Sequence, residues 1–232
     1  MPSNDEIKKL AGSSAVKYVQ PGMTIGIGTG STVYWFIQEL AMLIKQGMTC
    51  NCVPTSKETD LLAKQMGIPM LTLNDVARID VTIDGADEID PQLRLIKGGG
   101  SALLQEKMVA AASDELIIIA DSSKLVKQLG VFPLPVEVIP YGWKQVQQRI
   151  QSAYNIQALL RMKDNKPLIT DHGHNILDCH FGEIKDADQL TIQLNTIPGV
   201  VENGLFINMA QLAIIAFADG NITTLHAKHD LI

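Results

Sequence analysis

The run Thr24-Ile25-Gly26-Ile27-Gly28-Thr29-Gly30-Ser31-Thr32 joins an apolar strand to a helix through three glycines. Residues 24–28 read as a strand. Residues 31–45 read as an amphipathic helix, because Val33, Phe36, Ile37, Leu40 and Ile44 recur at helical spacing. Trp35 and Phe36 read as core. A strand–glycine turn–helix unit of this kind is the opening of an α/β domain, and the helix N-terminus after it offers free N–H groups that suit an anion.

The same alternation continues outward. Residues 50–54 read as a strand, 57–66 as a helix, 70–73 and 80–83 as strands, and 93–96 as another. Residues 101–112 read as a helix with Ser101 as its N-cap. Residues 116–120 form an apolar run of the sort found in strands covered on both faces. The expectation is an α/β fold: a mostly parallel sheet with helices on both sides. Near Gly130 the pattern changes. The Pro-rich Val131-Phe132-Pro133-Leu134-Pro135 marks a boundary, followed by a strand at 136–139, a helix at 142–154, short strands across 155–178 and a helix at 186–194. These make a small α+β domain, after which the apolar 204–217 returns to the first sheet.

Composition narrows the function. The chain has 232 residues, 46% of them hydrophobic and 19% charged, with a formal net charge of −6. That supports a sizeable core and argues against disorder. No basic stripe is present, so nucleic acid is excluded as a partner. Residues 1–9 lack the apolar run of a signal peptide, and the apolar stretch 210–218 is too short to span a bilayer. The three cysteines, Cys50, Cys52 and Cys179, form no disulfide framework. A cytoplasmic protein with reduced thiols and no membrane contact is expected.

Four motifs carry chemistry. The Gly26–Thr32 turn departs from a dinucleotide fingerprint: Gly30 comes one place early and residues 50–53 hold no carboxylate. It also lacks the lysine of a Walker loop. Asp84-Gly85-Ala86-Asp87-Glu88-Ile89-Asp90 places four carboxylates at the end of a strand, where open parallel sheets bind ligands; it does not complete an EF-hand. Lys97-Gly98-Gly99-Gly100-Ser101 puts a lysine before three glycines, a costly arrangement unless a ligand or backbone path requires it. Glu106 follows in the helix, and its spacing points it away from a core face of Leu104, Met108 and Ala111. Asp121-Ser122-Ser123-Lys124, with Lys127, lies beyond the apolar strand at the same sheet edge. His172, His174, Cys179 and His180 match no structural zinc spacing, so no metal is assigned. His226 and His229 sit in a polar tail and are incidental.

Taken in order, these motifs, together with Phe132-Pro133-Leu134-Pro135-Val136-Glu137-Val138, Ile197-Pro198-Gly199-Val200-Val201 and Gly204-Leu205-Phe206, resemble type A ribose-5-phosphate isomerase. The resemblance spans residues 6–219. It implies a Rossmann-like catalytic domain of residues 1–131 and 205–232, with a smaller α+β domain of 132–204 inserted. It implies interconversion of D-ribose 5-phosphate and D-ribulose 5-phosphate through an enediol(ate), in the non-oxidative pentose phosphate pathway. No metal or organic cofactor is implied, and a homodimer is.

By the same resemblance, Glu106 is the base that moves a proton between C1 and C2. Lys97 with Gly98, Gly99 and Gly100 binds near the enediolate. Asp84 and Asp87 contact sugar hydroxyls and assist ring opening. Thr29, Gly30, Ser31, Thr32, Gly85, Ala86 and Lys124 line the site, Lys124 on the phosphate side. Ser101, the Asp171-His172-Gly173-His174 turn and the tail from Asn221 depart from the family pattern.

Two other classes compete. One is a non-catalytic sugar-phosphate sensor, which needs neither Glu106 nor Lys97. The other is a related deaminase or acyl-CoA transferase, disfavoured by the Lys97–Glu106 stretch.

Overall fold

The fold was obtained as a computed structural model, which describes residues 2–227; the expectations for His229 and for residues 228–232 lie outside the described residues. In chain order the elements are α1 (Asn4–Ser14), β1 (Thr24–Ile27), α2 (Ser31–Lys45), β2 (Asn51–Pro54), α3 (Lys57–Gln65), β3 (Ile79–Asp84), β4 (Glu88–Ile89), β5 (Leu95–Ile96), α4 (Leu103–Ala111) and β6 (Ser113–Asp121). There follow β7 (Leu134–Val138), α5 (Trp143–Tyr154), β8 (Gln157–Leu160), β9 (Met162–Lys163), β10 (Lys166–Pro167), β11 (Asn175–His180), α6 (Ala187–Asn195), β12 (Val200–Asn203), β13 (Leu205–Phe206), β14 (Leu212–Ala216) and β15 (Ile222–His226).

The chain divides into two compact units. Among the described residues, the first comprises 2–86, 105–124 and 208–227. Its sheet has six strands in the order β2-β1-β3-β6-β14-β15, all parallel except β15. The expected α/β class is therefore observed. Along β1 and β3, Ile25, Ile27, Val81 and Ile83 pack with Val33, Phe36, Ile37 and Leu40 of α2, and α1 completes that layer. Each such side chain contributes about 1.5–3 kcal/mol by leaving water. On β1, Gly26 alternates with these residues: a Cβ there would collide with Thr82 and come within 2.9 Å of Val109 of α4. The absence of that methyl lets α4 lie close against the sheet.

The second unit comprises residues 87–104 and 125–207. It holds a four-stranded antiparallel sheet, β12-β7-β11-β8, and a three-stranded one, β13-β5-β4. Val136, Val138, Leu177, Val146 and Ile150 of α5, and Leu190 and Leu194 of α6 share its core.

Several local expectations need correction. Residues 87–104, 125–131 and 205–207 go with the second unit, which differs from an insertion confined to 132–204. The reason is pairing: β5 pairs antiparallel with β13 and β4, not with the parallel sheet. Of the 204–217 run, only β14 rejoins the first sheet. Leu93 adopts a left-handed φ of 57° and precedes β5 rather than opening it. Met70 makes a single bridge to Cys52, and a 3₁₀ turn at Leu73–Asp75 replaces the rest of that expected strand.

Cys179 of β11 is fully buried, and desolvation, with Asp178 adding to it, pushes its thiol from an ordinary 9.0 up to about 12. The unfolded chain therefore loses this proton first. The thiol's share of stability is complete below about pH 9 and declines as pH rises from there towards 12. In thermal melts across that range, the midpoint of the wild type should fall more steeply with pH than that of Cys179→Ala. Parallel slopes would refute the assignment.

Candidate active site

In the first unit, candidate residues gather at the carboxyl ends of β1, β2 and β3. Asp84 ends β3 and is buried. Its Oδ1 accepts the N–H of Gly85 at 2.7 Å and of Thr29 at 3.2 Å. The β1–α2 turn is thus tied to the end of β3. Gly28 makes this approach possible, because a Cβ there would meet the Asp84 carboxyl and lie 2.6 Å from its Cα. The Thr29 hydroxyl lies 2.8 Å from those of Thr55 and Ser56 and 3.1 Å from that of Thr59, and Thr59 donates to the Gly28 carbonyl at 2.8 Å. The turn is consequently rigid. Gly30 caps α2 with φ 120° and places no side chain over its first N–H groups. Gly30 and Ser31 are exposed and Thr32 is half-buried, so the helix terminus opens to solvent.

Glu106 departs from its expected surroundings. It is 4% exposed, on a buried stripe of α4 with Leu103 and Val109, whereas Met108 is 50% exposed. Apolar residues occupy both sides of this helix, so spacing alone chose the wrong face. The direction of α4 is fixed within the first unit at both ends. Gln105 donates to the Pro54 carbonyl at the end of β2 at 2.9 Å, and the Ala112 carbonyl accepts the N–H of Ile79 at the start of β3 at 3.0 Å. Glu106, buried and next to Gln105, thus lies on the turn of α4 that is tied to the carboxyl end of β2. Burial of a carboxylate at a ligand-binding edge is the arrangement from which general bases are made. Gly85 and Ala86 continue from Asp84 and are half-buried. Lys124 lies on a 3₁₀ turn, Ser122–Lys124, directly after β6.

The second unit holds Asp87, Lys97 and the glycines. Asp87 Oδ2 accepts the N–H of Gly99 at 2.7 Å. Lys97 is 2% exposed, and its ammonium stands 5.4 Å from the centre of the Phe206 ring. Its own N–H donates to the Gly204 carbonyl at 2.9 Å. Gly98 has φ 104°, a conformation that favours glycine. Ser101 has φ 66° and lies two residues before α4, so it is not the expected N-cap. Its hydroxyl instead accepts from Arg161. Nothing in the spacing of the polar run around it marks Arg161, and the sequence reading missed it.

The acidic cluster splits by role. Asp84 and Asp87 hold the two turns just described. Glu88 is buried and accepts the N–H groups of Gly130 at 2.7 Å and Phe132 at 2.6 Å. Asp90 accepts from Arg94 Nε at 2.6 Å and caps its own turn. The last two are structural. His174 Nδ1 lies 2.9 Å from the buried Glu137, and Cys179 sits in the core. Among the described residues, no three His, Cys, Asp or Glu side chains are grouped to hold a metal.

A Rossmann-like α/β unit whose carboxyl edge carries a glycine turn, a buried carboxylate and an open helix N-terminus defines a protein that handles a small anionic molecule. Comparison with known proteins gives the particular family. Residues 51–220 match the family model for ribose 5-phosphate isomerase A (phosphoriboisomerase A). Ribose-5-phosphate isomerase A of Bacillus mycoides is 55% identical over 92% of this chain and 97% of its own. A D-ribose-5-phosphate isomerase in complex with phospho-erythronic acid superposes with a TM-score of 0.93 at 42% identity, over 97% of this chain and 100% of that one. Ribose 5-phosphate isomerase from Plasmodium falciparum gives 0.94 at 40%, with the same coverage. The chain belongs to the ribose 5-phosphate isomerase A family.

Replacing Gly28 by alanine should push Asp84 away from the β1–α2 turn. The expected loss is about 1–3 kcal/mol of stability, as for other overpacked sites, read as a lower urea midpoint. An unchanged midpoint would show that the close approach of Gly28 to Asp84 is dispensable.

Proposed function

We propose that this chain interconverts D-ribose 5-phosphate and D-ribulose 5-phosphate, an aldose–ketose isomerisation of the non-oxidative pentose phosphate pathway. The observation that carries the reading is the buried Glu106 carboxylate on α4, next to Gln105, which bonds the carboxyl end of β2. In the open-chain aldose, Glu106 removes the proton from C2 and returns it to C1, while a proton passes from O2 to O1. The enediolate formed between these steps carries negative charge on oxygen. Lys97 and the Gly98–Gly100 turn, whose Gly99 N–H is taken by Asp87, supply the stabilising donors. Asp84 and Asp87 bind sugar hydroxyls and assist ring opening, with Gly85 and Ala86 lining the same stretch. Residues Thr29, Gly30, Ser31 and Thr32 bind the substrate at the α2 N-terminus, and Lys124 meets the phosphate. The reading invokes neither metal nor organic cofactor. Phospho-erythronic acid, bound by the solved relative, supports it: its carboxylate places delocalised negative charge beside a phosphorylated sugar chain, as an enediolate does.

In this reading the Rossmann-like portion is the catalytic domain, the protein is cytoplasmic, and it works as a homodimer. Among the described residues no helix is long and apolar enough to cross a membrane.

The decisive assay follows ribulose 5-phosphate formation from ribose 5-phosphate with chelator present. The wild type should be active and indifferent to chelator. Glu106→Gln should lose about 10²–10⁴-fold or more in kcat, the usual worth of a positioned base. An inactive wild type that still binds the sugar phosphate would replace the enzyme by a sensor. Light scattering on a sizing column should give twice the mass of one chain; a single-chain mass at working concentration would remove the dimer.

A further inference from the structure

The second unit contains an arginine that acts on the glycine turn from behind. The Arg161 side chain is 13% exposed, directly after β8, and it faces Asp178 of β11. Its Nε donates to Asp178 Oδ2 at 3.0 Å and its Nη2 to Asp178 Oδ1, a two-point pairing that fixes the plane of the guanidinium. The remaining nitrogen, Nη1, then reaches the Gly98 carbonyl at 2.7 Å, the Gly99 carbonyl at 3.2 Å and the Ser101 hydroxyl at 3.1 Å. One cation thus binds three acceptors on a four-residue turn. Lysine, a single point charge without a planar fork, could not hold Asp178 and the turn together in this way.

Peptide geometry carries the argument to the substrate side. In a planar trans peptide the N–H points opposite to the carbonyl. A Gly98 carbonyl drawn onto Arg161 turns the N–H of Gly99 away from it, and that N–H is the one bound by Asp87 at 2.7 Å. A Gly99 carbonyl drawn onto Arg161 likewise turns away the N–H of Gly100. The turn is flexible by composition, with φ 104° at Gly98, and carries a non-glycine left-handed residue at its end, Ser101 with φ 66°. The Gly98–Gly99 peptide is also held by the Ser101 N–H on the Gly98 carbonyl at 3.0 Å and by Asp87 on the Gly99 N–H, so Arg161 bears chiefly on the Gly99–Gly100 peptide, whose carbonyl it binds at 3.2 Å. Donors that stabilise an oxyanion work because they are already aimed when charge develops.

We propose that Arg161, oriented by Asp178, is a positioning residue for the isomerisation. It fixes the Gly98–Ser101 turn so that the Gly100 N–H stays aimed away from the guanidinium, towards the developing enediolate oxygen. The inference rests on the reading above that Lys97 to Gly100 bind substrate.

The test compares wild type, Arg161→Ala, Arg161→Lys and Asp178→Asn by kinetics, thermal melting and amide hydrogen exchange. Arg161→Ala should stay folded and lose about 10²-fold in kcat, the scale of a small misplacement of reacting groups, with far less change in KM. Exchange at residues 98–101 should accelerate. Added methylguanidinium, at concentrations that leave the melting temperature unchanged, should restore both kcat and slow exchange, whereas ammonium should not. Arg161→Lys should remain impaired despite its charge, and Asp178→Asn should fall between. An Arg161→Ala enzyme as fast as wild type overturns the proposal. So does a loss of activity that merely tracks unfolding and is not rescued. A wild type inactive on ribose 5-phosphate overturns the functional reading instead, and exchange without substrate then shows separately whether Arg161 holds the turn.

Discussion

The Asp84 carboxylate, receiving the N–H groups of Thr29 and Gly85, is the contact on which the arrangement of the first unit turns. It joins two loops that follow neighbouring parallel strands, and it does so only because Gly28 carries no side chain. Gly26, two residues earlier, plays the corresponding part against Thr82 and Val109, letting α4 settle on the same sheet. The missing methyl at Gly26 lets α4, which carries Glu106, settle on the sheet, while the one at Gly28 lets Asp84 reach the β1–α2 turn. The glycines of β1 therefore serve the sheet and the helix on it, and the later Gly30 is the one that leaves the α2 terminus open.

A comparable economy governs the acidic segment. Four carboxylates in seven residues would repel one another in a solvated turn. Here each has its own set of donors: backbone N–H groups for Asp84, Asp87 and Glu88, and an arginine together with its own turn for Asp90. Glu88 holds residues 130–132 and Asp90 holds residues 92–94, so half of the cluster stabilises the second unit's own folding. The strand β3 ends in the first unit, and three residues later the chain is already part of the second.

How far the sequence could be read depended on the strength of each local pattern. Helix α2 was legible to the residue, since Val33, Phe36, Ile37 and Leu40 repeat on one buried stripe. Strand β6 was legible as an unbroken apolar run. Helix α4 was legible as a helix but its buried face was not, because Leu104 and Met108 mimic a core face other than the real one of Leu103, Glu106 and Val109. Strands β4 and β5 are two residues long, too short to reveal a period, and their membership was decided by β13 more than a hundred residues later. The candidate site was legible where glycines and carboxylates cluster in sequence. Arg161 was invisible because its meaning lies in Asp178 and in carbonyls some sixty residues away.

The order in which the first sheet is assembled has a consequence for synthesis. Strand β14 pairs in parallel with β6, yet residues 125–207, most of the second unit, lie between them. On the ribosome, β6 emerges with its apolar edge unpaired and must wait for that whole stretch to be made. Non-local parallel pairing is slow, and an uncovered apolar edge invites association with other chains. The newborn protein thus passes through a vulnerable interval set by its connectivity, which chaperones that shield strand edges are suited to cover.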